Sequence, residues 1–326
     1  MVLATCFPLN TGQSIPSVGL GTFQANVGND RVTEAVRNAL DVGYRHFDTA
    51  YQYGTEKHIG LAIRESGYSR EEIFITSKLW NTWHEPKDVE EALDRSLRDL
   101  GTDYVDLYLM HFPHAYQIDR EHNALRKADG SGRPEINFEL SRNYQATWAA
   151  MEGLVRSGKA RAIGLANFSI TKMKRILSTC QIIPAVNQVE LHPLLPQYDL
   201  VEFCRRHGIL VVAHQPLGGE PVNNGREGHD KAASPLNNAT ITEAAKQCGI
   251  TPAQVCLSWA VQRGVPVVPK TVTQARMVEN STLTTLPEDV FQKVSKVHLE
   301  TGAIRFLNIT EKIGFDIFDE TEDQPL

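Results

Sequence analysis

The feature of this sequence that most constrains its fold is a repeated alternation of short apolar runs and longer helical patterns. Eight runs rich in Val, Ile, Leu and Tyr have the length and composition of buried strands. They cover residues 17–22, 45–50, 73–79, 105–111, 160–167, 185–191, 210–217 and 265–270. Helical patterns such as "DRVTEAVRNALDVG" lie between them, and several end in Gly, which commonly terminates a helix.

Eight strand–helix units are the number that a closed (β/α)8 barrel requires. An open, doubly wound sheet is the competing architecture, but it rarely contains so many even units. The sequence therefore predicts an α/β protein with a TIM barrel, formed as a single domain by residues 1–326. The opening "FPLNTGQSIPSVG" places an Asn-Thr-Gly turn between two extended pieces, which predicts an N-terminal hairpin that caps the barrel floor.

Three segments are longer than ordinary loops, namely residues 112–141, residues 218–238 and a tail from about residue 300. The first and third contain enough Phe, Tyr and Ile to predict that they pack over the barrel mouth as substrate-capping segments. The second, which includes "GGEPVNNGREGHDKAASP", is rich in Gly and Asn and predicts a mobile loop. The final "DIFDETEDQPL" is acidic and predicts a solvated end.

Charge and cysteine content exclude several classes of partner. The 33 basic and 39 acidic residues give a net charge of −6, and the basic residues are scattered, so we expect no nucleic-acid partner. The five cysteines are widely spaced, which is typical of reduced thiols in the cytoplasm. Neither a secretory signal nor an apolar run of membrane-spanning length is present. We therefore expect a cytoplasmic protein, monomeric or weakly homodimeric, that acts on a small molecule.

Ionisable side chains follow three consecutive strand candidates. Asp48 ends the second run, Lys78 lies near the end of the third, and His111 ends the fourth, while Tyr53 follows in the loop after Asp48. Each alone has an ordinary explanation, such as a helix cap, a solvated strand end, a core histidine or a lid. Because the carboxyl ends of barrel strands form the active site, the set together predicts a catalytic cluster.

The chemistry that suits this cluster is proton donation by a phenol. A free tyrosine has a pKa of about 10, which makes it a weak acid near neutrality. A lysine at ~4 Å contributes about 4 kcal/mol at an effective dielectric constant of about 20, so we expect Lys78 to lower the pKa of Tyr53. A buried lysine needs a counter-charge, which Asp48 can supply. His111 can then orient a substrate oxygen through a hydrogen bond.

Seven motifs in order along residues 19 to about 280 resemble the aldo-keto reductase family. They are "GLGTFQ", "GYRHFDTAYQYGTE", "ITSKLW", "VDLYLMHFP", "GLANFS", "NQVELHP" and "VVPKTVTQARMVEN". The resemblance implies NADPH-dependent reduction of an aldehyde or ketone by direct hydride transfer, without a Rossmann domain and without a metal. It makes Tyr53 the general acid, Lys78 and Asp48 its tuning pair, and His111 the orienting residue.

The residues themselves agree with the absence of a Rossmann fingerprint and of a metal motif. "GLGTFQ" has only two of the three glycines of GxGxxG, and "WHEPK" lacks the second histidine of HExxH.

Cofactor contacts are predicted at the ends of the later strands. Lys270 and Thr271 end the eighth run, and the next helix carries Arg276, Glu279 and Asn280 at i, i+3 and i+4 spacing, which suits the 2′-phosphate of NADP(H). By resemblance, Asn167 and Gln188 would hold the nicotinamide amide, although Ala166 replaces the usual Ser. His214 stands where the family usually has a stacking Tyr, and Leu217 ends the same run. His214 is either protonated, disfavouring NADP⁺, or a neutral stacking group.

The substrate is not determined by the sequence. The predicted pocket walls are aromatic: Phe23, Tyr51, Trp80, Phe112, Tyr116 and Phe306. Phe23 and Phe112 stand where relatives often have Trp, which favours bulkier carbonyls, whereas the 112–141 segment resembles an insertion of sugar-reducing relatives. A narrow-specificity ketoreductase of a specialised pathway is the alternative, and a cofactor-binding regulatory subunit is a further one. A metal-dependent hydrolase would need more His and carboxylate residues at the strand ends.

Overall fold

The computed structural model describes residues 3–24, 28–219, 234–309, 313 and 317–318. In chain order its strands are β1 (Cys6–Pro8), β2 (Ser14–Pro16), β3 (Leu20–Gly21), β4 (His46–Asp48), β5 (Phe74–Leu79), β6 (Val105–Met110), β7 (Ala115–Tyr116), β8 (Ile136–Asn137), β9 (Ala160–Ala166), β10 (Val186–Glu190) and β11 (Leu210–His214). Seven of these form the central sheet in the order β3–β4–β5–β6–β9–β10–β11, and all neighbours pair in parallel.

The eighth predicted run, residues 265–270, closes this sheet into a barrel. It pairs with both edges through single parallel bridges, from Val267 to Val18 and Ala213, and from Lys270 to Gly21. Backbone hydrogen bonds from Gly19 N to Val267 O and from Val268 N to Ala213 O, at 2.9 and 3.0 Å, complete the closure. The predicted (β/α)8 barrel is confirmed.

The helices of the described chain alternate with the strands. They are α1 (Arg31–Val42), α2 (Glu56–Glu65), α3 (Val89–Leu100), α4 (Phe138–Arg142), α5 (Tyr144–Arg156), α6 (Ile170–Thr179), α7 (Tyr198–Arg206), α8 (Ala239–Cys248), α9 (Pro252–Gln262), α10 (Gln274–Ser281) and α11 (Glu288–Thr301). In α1 the apolar positions recur at helical spacing, and Val32, Ala35, Val36, Ala39 and Leu40 are all buried. The helix ends at Gly43, whose φ of 108° lies in the region that glycine tolerates.

The N-terminal hairpin lies at the floor of the barrel, as the sequence predicts. Strands β1 and β2 are antiparallel, with Phe7 opposite Ile15. Ile15 and Leu9 are buried in one apolar cluster with residues from the barrel strands: Phe74, Leu107, Leu109, Ala162, Ala166, Ala185, Val186, Val212 and Val268. Among the described residues the barrel interior is therefore a packed core at the floor, so we place the candidate ligand site at the opposite, carboxyl end of the strands.

The long segments lie partly within the described chain. Residues 112–141 contain the antiparallel pair β7 and β8, and His122 stacks on Trp83 with ring centroids 3.7 Å apart. Tail residues Ile313 and Ile317 are buried in an apolar cluster with Phe112 and Tyr116. Most of the predicted mobile loop (220–233) and the acidic end (319–326) lie outside the described residues. No helix that the structure describes has the length and apolarity needed to cross a bilayer.

Candidate active site

The four predicted catalytic side chains meet at the carboxyl end of the barrel. Asp48 is the last residue of β4, Lys78 is the next-to-last residue of β5, and His111 directly follows β6. Parallel pairing holds these positions at one level, since His111 N donates to Leu79 O at 3.1 Å. The sequence prediction that these residues lie together is consistent with this geometry.

Local hydrogen bonds place Tyr53 over the mouth. Residues Tyr51–Tyr53 form one turn of 3-10 helix, which ends at Gly54 with a φ of 63° that suits glycine. Asn29 Nδ2 donates to Tyr53 O at 3.3 Å, which joins this turn to the loop before α1. The turn that carries the phenol is therefore held to the loop before α1 at its carboxyl end.

The Asp48 carboxylate is the centre of the site. Lys78 Nζ donates to Asp48 Oδ1 at 2.6 Å, and Gln188 Nε2 donates to Asp48 Oδ2 at 2.6 Å. Lys78 Nζ also reaches Thr49 O at 2.9 Å and Tyr53 Oη at 3.5 Å. Lys78 is only 1% exposed. Burial lowers the pKa of its amine, but the charge and the hydrogen bond of Asp48 raise it by more, so the pKa lies above its ordinary value. Lys78 is therefore a buried cation next to the phenol.

The pKa of Tyr53 differs from the sequence prediction. Burial of the phenol raises it, Lys78 lowers it, and Asp48 raises it, with a net increase above its ordinary value. The prediction that Lys78 lowers the pKa of Tyr53 is correct. The predicted net decrease in that pKa is wrong, because the increase caused by desolvation is larger than the decrease caused by Lys78. Tyr53 is therefore fully protonated near neutrality, and Lys78 acts by stabilising the phenolate that proton donation would form.

His111 is neutral in this environment. Burial and the nearby Lys78 charge hold its pKa well below the usual range. Its ring packs among aromatic side chains, with centroids 5.6 Å from Tyr53, 5.3 Å from Trp80 and 5.0 Å from Phe112. Its Nδ1 atom has no hydrogen-bond partner among the described residues. A neutral imidazole can donate one hydrogen bond to a substrate oxygen.

Asn167 and His214 are joined on the side of the mouth formed by β9 to β11. Asn167 has a φ of 63°, a conformation that asparagine tolerates. Its Nδ2 donates to His111 O at 3.0 Å, and its Oδ1 accepts from His214 Nε2 at 2.9 Å. Burial lowers the pKa of His214 to about 4, so this ring is neutral near pH 7. The protonated alternative is therefore wrong for His214, and Leu217 lies beyond the end of β11.

The predicted phosphate residues lie at and after the eighth run, but they have different surroundings. The Lys270 side chain is exposed at the surface, although neighbouring residues still cover part of it. This partial burial, together with the positive charge of Arg31, lowers the pKa of its amine. Thr271 Oγ1 accepts from Thr273 N at 3.1 Å. Arg31, at the start of α1, is a cation that the sequence analysis missed.

On α10 the three predicted residues differ in exposure and partners. Arg276 is exposed and Asn280 is buried. Glu279 Oε1 accepts from Thr251 Oγ1 at 2.5 Å, which ties α10 to α9. The helix thus presents Arg276 to solvent.

The predicted pocket walls are brought together only in part. Phe23 is 50% exposed and lies 5.1 Å from the Tyr53 ring, and the Trp80 ring contacts Phe112 and Tyr116 at 6.2 and 6.1 Å. Tyr51 instead packs edge-to-face with Trp83, with the ring centroids 6.1 Å apart.

Phe306 also lies outside this aromatic group. Its ring centroid is 5.2 Å from that of His192, and a Cβ at Gly218 would meet it at 3.0 Å. The tail residues that pack with Phe112 are instead Leu307, Ile309, Ile313, Ile317 and Phe318.

A buried carboxylate near the mouth was missed by the sequence analysis. Glu190 ends β10, is 1% exposed, and accepts hydrogen bonds from His192 and from two tail amides. The signal in the sequence was an acidic residue at the end of the apolar run "AVNQVEL". Among the described residues no group of three or more His, Cys, Asp or Glu could hold a metal ion, and burial lowers the pKa of His84 in "WHEPK" to about 3.

Comparison with known proteins identifies the family. The model of the Aldo/keto reductase family matches residues 17–298. Glycerol 2-dehydrogenase (NADP(+)) of Hypocrea jecorina is 38% identical over 323 residues, covering 97% of this chain and 98% of that protein. Aldehyde reductase YPR1 of Saccharomyces cerevisiae is 41% identical, covering 92% and 93%. The aldose reductase structure from Schistosoma japonicum superposes with a TM-score of 0.83 at 33% identity, covering 99% and 100%. The chain belongs to the aldo/keto reductase family.

Proposed function

We propose that this protein reduces an aldehyde or ketone to an alcohol with NADPH, and that Tyr53 donates the proton to the carbonyl oxygen. The observation that carries this proposal is the buried contact chain from Asp48 through Lys78 Nζ to the Tyr53 phenol. When bound, the reduced nicotinamide supplies the hydride that the carbonyl carbon receives. The protein's own contribution is then to position the carbonyl and to transfer one proton.

Proton donation by Tyr53 needs stabilisation of the phenolate. The phenol is protonated near neutrality because burial raises its pKa. As the carbonyl oxygen gains negative charge, the O–H bond of Tyr53 breaks and the proton moves to that oxygen. The Lys78 ammonium, 3.5 Å from the phenol oxygen, faces the charge that develops there. Asp48 keeps Lys78 charged and in place.

His111 suits the role of orienting the carbonyl. It is neutral, buried, and adjacent to the Tyr53 ring, so one ring N–H can hold the substrate oxygen near the phenol without adding a second charge. Trp80 and Phe112 pack around it and leave few competing polar groups. A carbonyl held between Tyr53 and His111 would be shielded from water by these aromatic rings.

The chemistry of the donor groups fits NADP(H). The amides of Asn167 and Gln188 lie on the barrel side where a nicotinamide amide could exchange hydrogen bonds with them. Lys270 and the exposed Arg276 lie at the edge where a barrel commonly binds phosphate, with Arg31 adding charge. Two relatives are named as glycerol 2-dehydrogenases that use NADP(+), which supports the same choice.

We infer further that residues 1–326 form a single barrel domain whose tail, from about residue 300, caps the substrate pocket. The burial of Ile313 and Ile317 against Phe112 and Tyr116 supports this arrangement.

The test is NADPH oxidation with a small carbonyl panel. It should contain an aromatic aldehyde, a pentose, an α-keto ester, a bulky cyclic ketone and dihydroxyacetone, the ketone that oxidation of glycerol at carbon 2 gives. Tyr53→Phe should lower turnover about 10²- to 10⁴-fold, the range expected for loss of a general acid. The partly exposed Tyr68, 36% accessible, provides Tyr68→Phe as the matched control. Equal turnover in wild type and Tyr53→Phe would reject Tyr53 as the acid.

A further inference from the structure

The carboxylate of Glu190 joins two distant parts of the chain at the barrel mouth. Phe306 N donates to Glu190 Oε1 at 2.7 Å, and Leu307 N donates to Oε2 at 2.7 Å. His192 Nε2 donates to Oε1 at 2.9 Å. These two consecutive tail amides come from 116 and 117 residues further along the chain. Both oxygens of one carboxylate therefore hold the start of the tail.

Glu190 is ionised although it is buried. Burial opposes ionisation, but the His192 hydrogen bond and the two tail amides lower its pKa below the usual range. Hydrogen bonds to a charged group are about twice as strong as neutral ones. The Phe306 ring packs against His192, so the same corner is also held by an aromatic contact. Neutral alternatives at position 190 could not satisfy both amides as strongly.

Each end of this connection leads to a different part of the proposed site. On β10, Gln188 and Glu190 are two residues apart and so project from the same face, and Gln188 contacts Asp48. In the tail, Leu307 packs with the apolar cluster that contains Phe112 and Tyr116. Glu190 therefore lies between the strand that carries the catalytic contacts and the segment that packs on the pocket wall.

We propose that Glu190 is a positioning residue that fixes the C-terminal tail over the substrate pocket and thereby sets the affinity for large carbonyl substrates. It does so without touching the substrate. This inference rests on the proposed function for its kinetic part. A substrate that extends from His111 toward Phe112 and the tail would depend on the connection, whereas a three-carbon ketone would fill only the catalytic end and would not.

The experiment compares Glu190→Gln in the 326-residue protein with wild type and with Glu202→Gln. Glu202 is exposed and paired with Arg205 and Arg206, so it provides the matched control. KM for the bulky cyclic ketone should rise about 10-fold, the change that loss of one charge-assisted hydrogen bond produces. The kcat, the Kd for NADPH and the KM for dihydroxyacetone should change less than about 2-fold. Hydrogen exchange of the peptide around Phe306 should become faster.

A second variant approaches the connection from the tail. Leu307→Pro removes one donating N–H while the carboxylate stays, and Leu307→Ala, which keeps the N–H, measures the effect of losing the side chain alone. Leu307→Pro should raise KM for the bulky ketone in the same way, and the double variant with Glu190→Gln should show less than the sum of the two effects. Additive effects would overturn the proposal, because they would mean that the two residues act independently.

Other outcomes also decide the question. A Kd for NADPH that rises as much as KM would overturn the proposal, because Glu190 would then serve the cofactor site. Unchanged amide exchange near Phe306 in Glu190→Gln would overturn it as well. If the wild-type protein reduces no carbonyl, the proposed function fails, but the exchange measurement still shows whether Glu190 holds the tail.

Discussion

Replacement of Asp48 by Asn separates the charge of this residue from its size. In the wild type, Lys78 is almost fully buried, and its Nζ lies 2.6 Å from Asp48 Oδ1. Asparagine can still accept one hydrogen bond from the amine, but it leaves the ammonium without a counter-charge. Removal of one partner of a buried ion pair costs about 3–5 kcal/mol. This cost arises from the unpaired positive charge of Lys78, and loss of the Lys78 proton would remove it.

This cost appears as a lower pKa of the Lys78 amine. Without the Asp48 charge, burial has the larger influence on the amine, so the pKa of Lys78 should fall well below that of the wild type. As pH rises through the lowered pKa, the variant loses the cation that stabilises the Tyr53 phenolate, and its turnover falls. Its folding stability should rise with pH above that pKa, because the unfolded state binds more protons there.

The assay is NADPH-dependent turnover from about pH 6 to about pH 9, with urea unfolding at the same pH values. The control is Asp94→Asn, in which a half-buried carboxylate at the surface, 2.7 Å from Lys159, is neutralised while Glu90 still pairs with that lysine. Removal of a surface pair should cost less than about 1 kcal/mol. A variant at Asp48 whose turnover keeps the wild-type pH profile would refute the reasoning, since Lys78 would then remain charged without its partner.

Three further changes test other parts of the molecule. Glu56→Gln should stabilise the protein by about 3 kcal/mol above about pH 7 and should leave its stability unchanged below about pH 4.5. Burial raises the pKa of Glu56 from 4.5 to about 7, so the wild type, but not the variant, loses stability as pH rises through that value. Urea unfolding at both pH values measures the difference in unfolding free energy. His214→Phe should weaken NADPH binding about 5-fold by releasing Asn167, with the same ratio at about pH 6 and pH 8 in fluorescence titrations; a ratio that varies with pH would mean that His214 titrates. Lys270→Met should weaken NADPH binding about 10-fold and NADH binding less than about 2-fold, while the exposed Lys246→Met changes neither; equal losses for both cofactors would contradict a 2′-phosphate contact.

The fold was largely predictable because hydrophobic periodicity and helix ends are local signals. The eight apolar runs, the hairpin turn and the glycine that ends α1 each depend on a few neighbouring residues. Strand lengths were predicted less well. The run 17–22 forms a ladder only at Leu20–Gly21, and the run 210–217 ends its ladder at His214. Regular pairing depends on both neighbours around the barrel, which one segment cannot specify.

The site was predictable where residues follow strand ends and not where long-range burial decides. Asp48, Lys78 and His111 could be assigned to one mouth because parallel strands end together. The raised pKa of Tyr53 could not be predicted, because desolvation depends on how much protein surrounds the phenol. The place of Phe306 was also not predictable, because its backbone is held by Glu190 from 116 residues earlier. Such a contact leaves no spacing pattern in the sequence.

The contacts of Asp48 suggest why one carboxylate serves both halves of the proposed reaction. Its two oxygens accept from two donors, Lys78 and Gln188, each at 2.6 Å. Lys78 faces the phenol that would give the proton, whereas Gln188 lies on the side where the nicotinamide amide would bind. A ligand amide that takes over Gln188 would remove one of these donors and leave more of the negative charge for Lys78. Because Asp48 favours the charged lysine, cofactor binding would then hold Lys78 more firmly in its charged form beside Tyr53.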